Sequence, residues 1–159
     1  MLQNQNQALA ASRIAEPFSF TPDGPVTWVD GTGHHSSPNL AGLIANASFQ
    51  TTETINLVGQ NITSVQGLDN FPNLVNFLAS NNLISDLDIS GNSLLSDLDL
   101  SSNRLTTAVV NKLLLQLDAF GQTDGLAALQ TQTPAAPPSG LALGAITSLE
   151  NKSWGVATD

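Results

Sequence analysis

The chain has 159 residues, 41% of them apolar and only 11% charged, with a net charge of −9 and no cysteine. That size suits one domain with an appended arm. The acidic balance disfavours a nucleic-acid phosphate backbone and an anionic membrane surface, the missing thiols exclude disulfides and cysteine-metal sites, and no apolar run approaches the length of a membrane span.

Residues 1–16, with Met1-Leu-Gln-Asn-Gln-Asn-Gln at their head, form a polar arm with helical potential from Ala8 to Ala15. This stretch has no basic lead and no continuous apolar core, so it is not expected to act as a secretory signal. From Phe18 to Gln50 turn residues recur every few positions. Within that stretch Phe18, Phe20, Val26, Trp28 and Val29 are candidates for one or two short strands. His34 and His35 are assigned to a Gly/Ser-rich loop. Leu40, Leu43, Ile44 and Phe49 are expected to cap the apolar segment that begins near residue 51.

Three later stretches superimpose on one template: INLVGQNITSV at 55–65, FLASNNLISDL at 77–87 and LDLSSNRLTTA at 98–108. Ile55, Phe77 and Leu98 open them, at offsets of 22 (55 to 77) and 21 (77 to 98), and Leu57, Ala79 and Leu100 follow two residues later. Gln60, Asn82 and Asn103 come three residues after those, and Ile62, Ile84 and Leu105 close the pattern. A shorter echo, Leu87-x-Ile89-x-x-Asn92-x-Leu94, lies between two of them. A period of this size belongs to stacked units, in which no single unit buries its own apolar edge. The two apolar residues of each L-x-L step should point inward from a short strand. The repeated amides at Asn82, Asn92 and Asn103 should stack as a buried ladder that satisfies backbone groups at the turns. Over about 52–105 the pattern L-x-x-L-x-L-x-x-N-x-L resembles the leucine-rich repeat family, in its bacterial 21-residue form.

Thr106-Thr107 is a candidate N-cap, followed by Val109, Val110, Leu113, Leu114 and Leu117 at helical spacing, with Gly121 suited to the position after the helix. A short strand is expected at Leu126 to Leu129. The prolines of 131–140 exclude regular structure there. Ser139 is read as the cap of a second helix with Leu143, Ile146 and Leu149 inward, and Trp154-Gly155-Val156-Ala157-Thr158-Asp159 as a closing strand. This order of elements resembles the C-terminal cap of leucine-rich-repeat modules in phage and bacterial proteins. The expected fold is therefore α/β: a short solenoid with a parallel sheet, an N-terminal arm and cap (1–50), repeats (51–105) and an α/β cap (106–159).

Chemistry-bearing clusters are few. His34 and His35, near Asp30, Ser36 and Ser37, lack the spacing of a triad or a metal site. The SDLD segments at 85–88 and 96–99 place Asp86, Asp88, Asp97 and Asp99 alternately along strands, where they form a solvated face rather than the converging oxygen cage that calcium requires. Catalysis, a metal and an organic cofactor are not expected. The candidate binding surface is the concave face of the repeats, made by Asn56, Leu78 and Asp99 with flanking Thr54, Val58, Asn76, Ser80, Asp97 and Ser101. Phe18, Phe20, Trp28, His34 and His35 are the candidate assembly anchor.

Two functions are expected from this reading. In the first, the chain is a non-enzymatic phage virion component, a head decoration or tail-associated protein anchored by its arm. Its partners would be other virion subunits or further copies of itself. In the second, it is a bacterial surface or secreted recognition module that holds host protein or glycan on the concave face. Neither involves nucleic acid or membrane.

Overall fold

The computed structural model describes residues 26–30, 33–37, 51–65 and 67–159. Among these, seven short strands make one sheet: β1 (Val26–Asp30), β2 (Gly33–Ser37), β3 (Thr54–Asn56), β4 (Asn76–Leu78), β5 (Asp97–Asp99), β6 (Leu126–Ala128) and β7 (Gly155–Ala157). Their order in space is β2-β1-β3-β4-β5-β6-β7. The five strands β3 to β7 are mutually parallel. β1 and β2 form an antiparallel hairpin whose β1 strand lies antiparallel on β3. Two helices, α1 (Thr107–Phe120) and α2 (Leu141–Asn151), complete an α/β architecture. No helix among the described residues is long and apolar enough to cross a membrane.

The register follows the sequence period. Ile55 stands beside Phe77 and Phe77 beside Leu98, and the row continues through Ala127 to Val156. Because side chains alternate along a strand, this whole row faces one way. It is also the centre of a single apolar core, with Phe77 and Leu98 fully buried. Backbone bonds extend the pairing past the strand ends: Leu57 N–H donates to Leu78 O, Ala79 N–H to Asp99 O and Leu100 N–H to Ala128 O.

Beyond each of β3, β4, β5 and β6 the chain turns inward through one left-handed residue, then presents a side-chain amide. Gly59, Asn81, Ser102 and Thr131 have φ of 70, 57, 54 and 60° and immediately precede Gln60, Asn82, Asn103 and Gln132. Asn82 Oδ1 accepts from Gln60 N–H and Ile62 N–H at 3.0 and 2.9 Å, while its Nδ2 donates to Leu57 O, Ala79 O and Ser80 O. Asn103 repeats this, accepting from Ile84 N–H and donating to Ala79 O, Leu100 O and Ser101 O. Gln132 is the third member, accepting from Leu105 N–H and donating to Leu100 O, Leu129 O and Gln130 O. Asn92 does not belong to this ladder. It sits in the crossover between β4 and β5, where its Nδ2 donates to Leu68 O and Phe71 O and its buried Oδ1 has no partner. The echo around it, residues 87–94, makes no strand: Leu87 and Ile89 are buried and Leu94 is exposed.

α1 begins as expected, with Thr106 Oγ1 accepting from Val109 N–H, and it ends at Gly121 with φ 74°. Its buried face is Val110, Leu113, Leu114 and Leu117. α2 departs from expectation. Gly140, which has no side chain to offer, takes the N-cap position, and the Ser139 hydroxyl instead accepts from Asn111 Nδ2 at 3.1 Å. Ala142, Ala145 and Leu149 face the core while Leu143 is 54% exposed. The two helices run side by side in the same sense, joined near their starts by Asn111 and Ser139 and near their ends by Asp118 and Lys152. Close packing there is met by alanine, leaving the leucine outside. Trp154 closes the core over Gly125, where any Cβ would lie 2.5 Å from the indole, and its Nε1 donates to Gln122 O.

Residues 1–25 and 38–50 lie outside the described residues, and with them the proposed arm helix, Phe18, Phe20 and the covering residues Leu40, Leu43, Ile44 and Phe49. Trp28 falls in β1. His34 and His35 lie in strand β2 rather than a loop, opposite Val29 and Trp28 respectively.

Candidate functional site: the outward face of the sheet

With one face of the sheet committed to the core, the alternate positions are left for other contacts. They form two rows across the parallel strands: Thr54, Asn76, Asp97, Leu126 and Gly155, then Asn56, Leu78, Asp99, Ala128 and Ala157. Thr54, Asn56, Asn76, Leu78, Asp97 and Asp99 are all half-buried, flanking the fully buried Ile55, Phe77 and Leu98. The structure thus brings most of the sequence-derived surface together. Val58 is exposed at its margin and Ser101 is half-buried.

Ser80 is a correction. β4 ends at Leu78, after which the chain turns inward and strand alternation no longer applies. Ser80 is only 6% exposed, and its carbonyl accepts from Gly59 N–H and Asn82 Nδ2. Its place in the turn is structural. Conversely, Leu126 was missed as a surface residue. It is 46% exposed beside Asp97, and its Cδ1 lies against the space left by Gly155. The sequence signal was the L-A-A-L strand itself, whose first leucine falls in the outward register.

Polar groups on this face are partly satisfied internally. Asn76 Nδ2 donates to Thr54 Oγ1 at 2.8 Å, and Asp99 Oδ1 accepts from both the N–H and the hydroxyl of Ser101. Asp97 is different: its Oδ1 is shielded from solvent and has no hydrogen-bond donor. Burial, with a smaller contribution from Asp99 at the next outward position, pushes its carboxyl up from its ordinary value. A folded-state value raised above the unfolded one means the ionised form is disfavoured by folding. The stability contributed by Asp97 is therefore present at acid pH and lost as pH rises through its folded value. Asp97→Asn should raise the melting temperature at pH 7 and leave it unchanged well below the carboxylate range. Thermal melts at both pH values check this.

The other acidic segment is not part of this face. Asp86 and Asp88 lie in the crossover rather than on a strand. Asp86 pairs with Lys112 at 2.8 Å, and Asp88 accepts from Gln116 Nε2 at 3.0 Å, which holds its carboxyl below the ordinary value. They border a shallow cavity of about 360 Å³ together with Asp69, Ser64 and Ser90. Among the described residues no group of three or more His, Cys, Asp or Glu is arranged to hold a metal ion. No known family, curated protein or solved structure matches the chain.

Proposed function

We propose that the chain is a non-enzymatic leucine-rich-repeat solenoid that holds a protein partner on the outward face of its sheet, as a head-decoration or tail-associated component of a phage particle. The observation that carries the solenoid reading is the recurrence of strand, left-handed residue and bracketing amide at Asn81-Asn82, Ser102-Asn103 and Thr131-Gln132. Repeat scaffolds of this kind spend their alternate strand positions on partners. Leu78, the half-buried apolar residue at the middle of the surface, is the natural anchor. The particle reading is supported by the sparse charge, 11% of residues, which fits a surface covered in an assembly. The Gln- and Asn-rich first residues, with Trp28 and the His34–His35 strand, supply the anchor in this reading.

Density-gradient fractionation of particles from the source culture tests it. Recovery in fixed ratio to the major shell protein is expected. Recovery only in the free or cell-associated fractions overturns the virion assignment. Leu78→Asp should release the partner while leaving the circular dichroism spectrum unchanged, because Leu78 lies off the core row. Undiminished partner retention by Leu78→Asp would remove the outward face from the proposal.

A further inference from the structure

The last turn of the amide ladder is built differently from the turns before it. In each earlier turn, the backbone N–H two residues after the amide position meets the side chain of the next rung. Ile62 N–H donates to Asn82 Oδ1, Ile84 N–H to Asn103 Oδ1 and Leu105 N–H to Gln132 Oε1. Two residues after Gln132 stands Pro134, which has no N–H to give. A further amide rung would find no donor at that level. Three other N–H groups of the turn, those of Thr131, Gln132 and Ala136, converge instead on the side-chain carboxylate of Asp159. We infer that the turn 131–136 is a carboxylate-binding nest, with Asp159 as its resident ligand, and that it takes a small carboxylate from solution once that side chain is removed.

Successive backbone N–H groups around a left-handed residue form a concave, positively polarised seat for an anion. Thr131, with φ of 60°, supplies that residue. Its N–H donates to Asp159 Oδ1, Gln132 N–H spans both oxygens at 3.3 and 3.1 Å, and Ala136 N–H donates to Oδ2 at 2.8 Å. Bonds from N–H groups to an ionised acceptor are stronger than bonds between neutral groups. Among the described residues no cation shares the carboxylate, since Lys112 is held by Asp86 and Lys152 by Asp118. Backbone donors alone therefore recognise it.

The seat is held in place without its occupant. Gln132 and Ala136 are buried, and the Gln132 side chain is committed to Leu105 N–H and to the carbonyls of Leu100, Leu129 and Gln130. Thr133 N–H is taken by Asn103 O, and the Thr131 hydroxyl is bonded to Ser102. Asp159, by contrast, is exposed and stands two residues past β7, so the nest opens to solvent on the side from which its ligand enters. Removing the carboxylate leaves aligned donors with no protein acceptor, and an anion that restores the bonds lowers that cost.

The test is Asp159→Ala in the full-length chain, titrated with sodium formate and, in parallel, with sodium chloride. Thermal melts and the backbone amide NMR signals of Thr131, Gln132 and Ala136 are the two readouts. Alanine should lower the melting temperature in chloride. Formate should recover at least half of that loss and shift those three amide signals to a saturating end point. The wild type should respond alike to both salts, because its seat is filled. Asp159→Asn, which keeps one acceptor oxygen in the seat, should melt between the two and gain nothing from formate. A variant folded only in formate counts as the expected rescue. An Asp159→Ala protein that melts with the wild type, that stays unfolded in both salts, or whose three amides ignore formate would overturn the inference. An equal formate response from wild type and Asp159→Ala would also overturn it, as a general effect of the salt.

Discussion

Replacing Asn82 with alanine should lower stability by about 3 kcal/mol, enough to shift the melting temperature by about 6–12 °C in a domain of this size. The side chain is 5% exposed and makes five hydrogen bonds, all to backbone groups. Alanine removes every one, and a buried backbone group left without a partner costs roughly 1–3 kcal/mol. The full sum is not reached, because neighbouring groups relax and water enters at the margin near Gln60. Asn82→Asp should be no rescue, since three carbonyls would then face a carboxylate oxygen in place of an N–H donor. Asn92→Ala provides the internal comparison. Asn92 donates to two carbonyls and accepts nothing, so its loss should be the smaller of the two. Equal shifts for Asn82→Ala and Asn92→Ala in thermal or urea unfolding would show that the strand-end bracket has no special weight.

The same contrast shows where sequence reasoning succeeds and where it stops. Asn82 and Asn103 were legible because each follows an apolar strand step at a fixed distance, and the amide chemistry has only one use there. Asn92 matched the local spacing but not the structural level, since its L-x-I step falls in a crossover with no strand beside it to pair with. Gln132 escaped because α1 lengthens the interval. It stands 29 residues after Asn103, where the earlier units repeat at 21 and 22, and the inward position of its strand is Ala127 instead of a leucine. The pattern Ala127-x-Leu129-x-x-Gln132 nonetheless has the same internal spacing as Leu98-x-Leu100-x-x-Asn103.

On the outward face of the sheet, alternation brings Thr54, Asn56, Asn76, Leu78, Asp97 and Asp99 together because β3, β4 and β5 are in register. It failed at Ser80, two residues beyond β4, because the period of two ends with the strand. Leu143 failed for a different reason. The helical spacing of Leu143, Ile146 and Leu149 is compatible with an inward face, but the side-by-side approach of α2 to α1 is set by Ala142 and Ala145. Small side chains carry little signal in a hydropathy pattern.

Phe77→Ala carries the largest expected loss, about 3–5 kcal/mol, or about 6–20 °C in melting temperature. Phe77 is fully buried in β4, in the middle of the inward row, with Ile55 on one side and Leu98 on the other. Truncation removes a whole ring from the apolar cluster that joins the described strands to the helices, and the pairing of β4 to both neighbours prevents the walls from collapsing into the void. Phe77→Leu should recover most of the loss, because it restores volume without a polar group. Leu143→Ala is the matching control: a leucine with 54% of its surface exposed should change stability by less than about 0.5 kcal/mol. On the proposed solenoid reading, stability is the sum of each unit and its contacts with its neighbours, so a cavity at the central strand should also broaden the unfolding transition as β3 uncouples from β5. A sharp, single transition with only a small shift for Phe77→Ala would mean that the row through Ile55, Phe77 and Leu98 does not hold the molecule together.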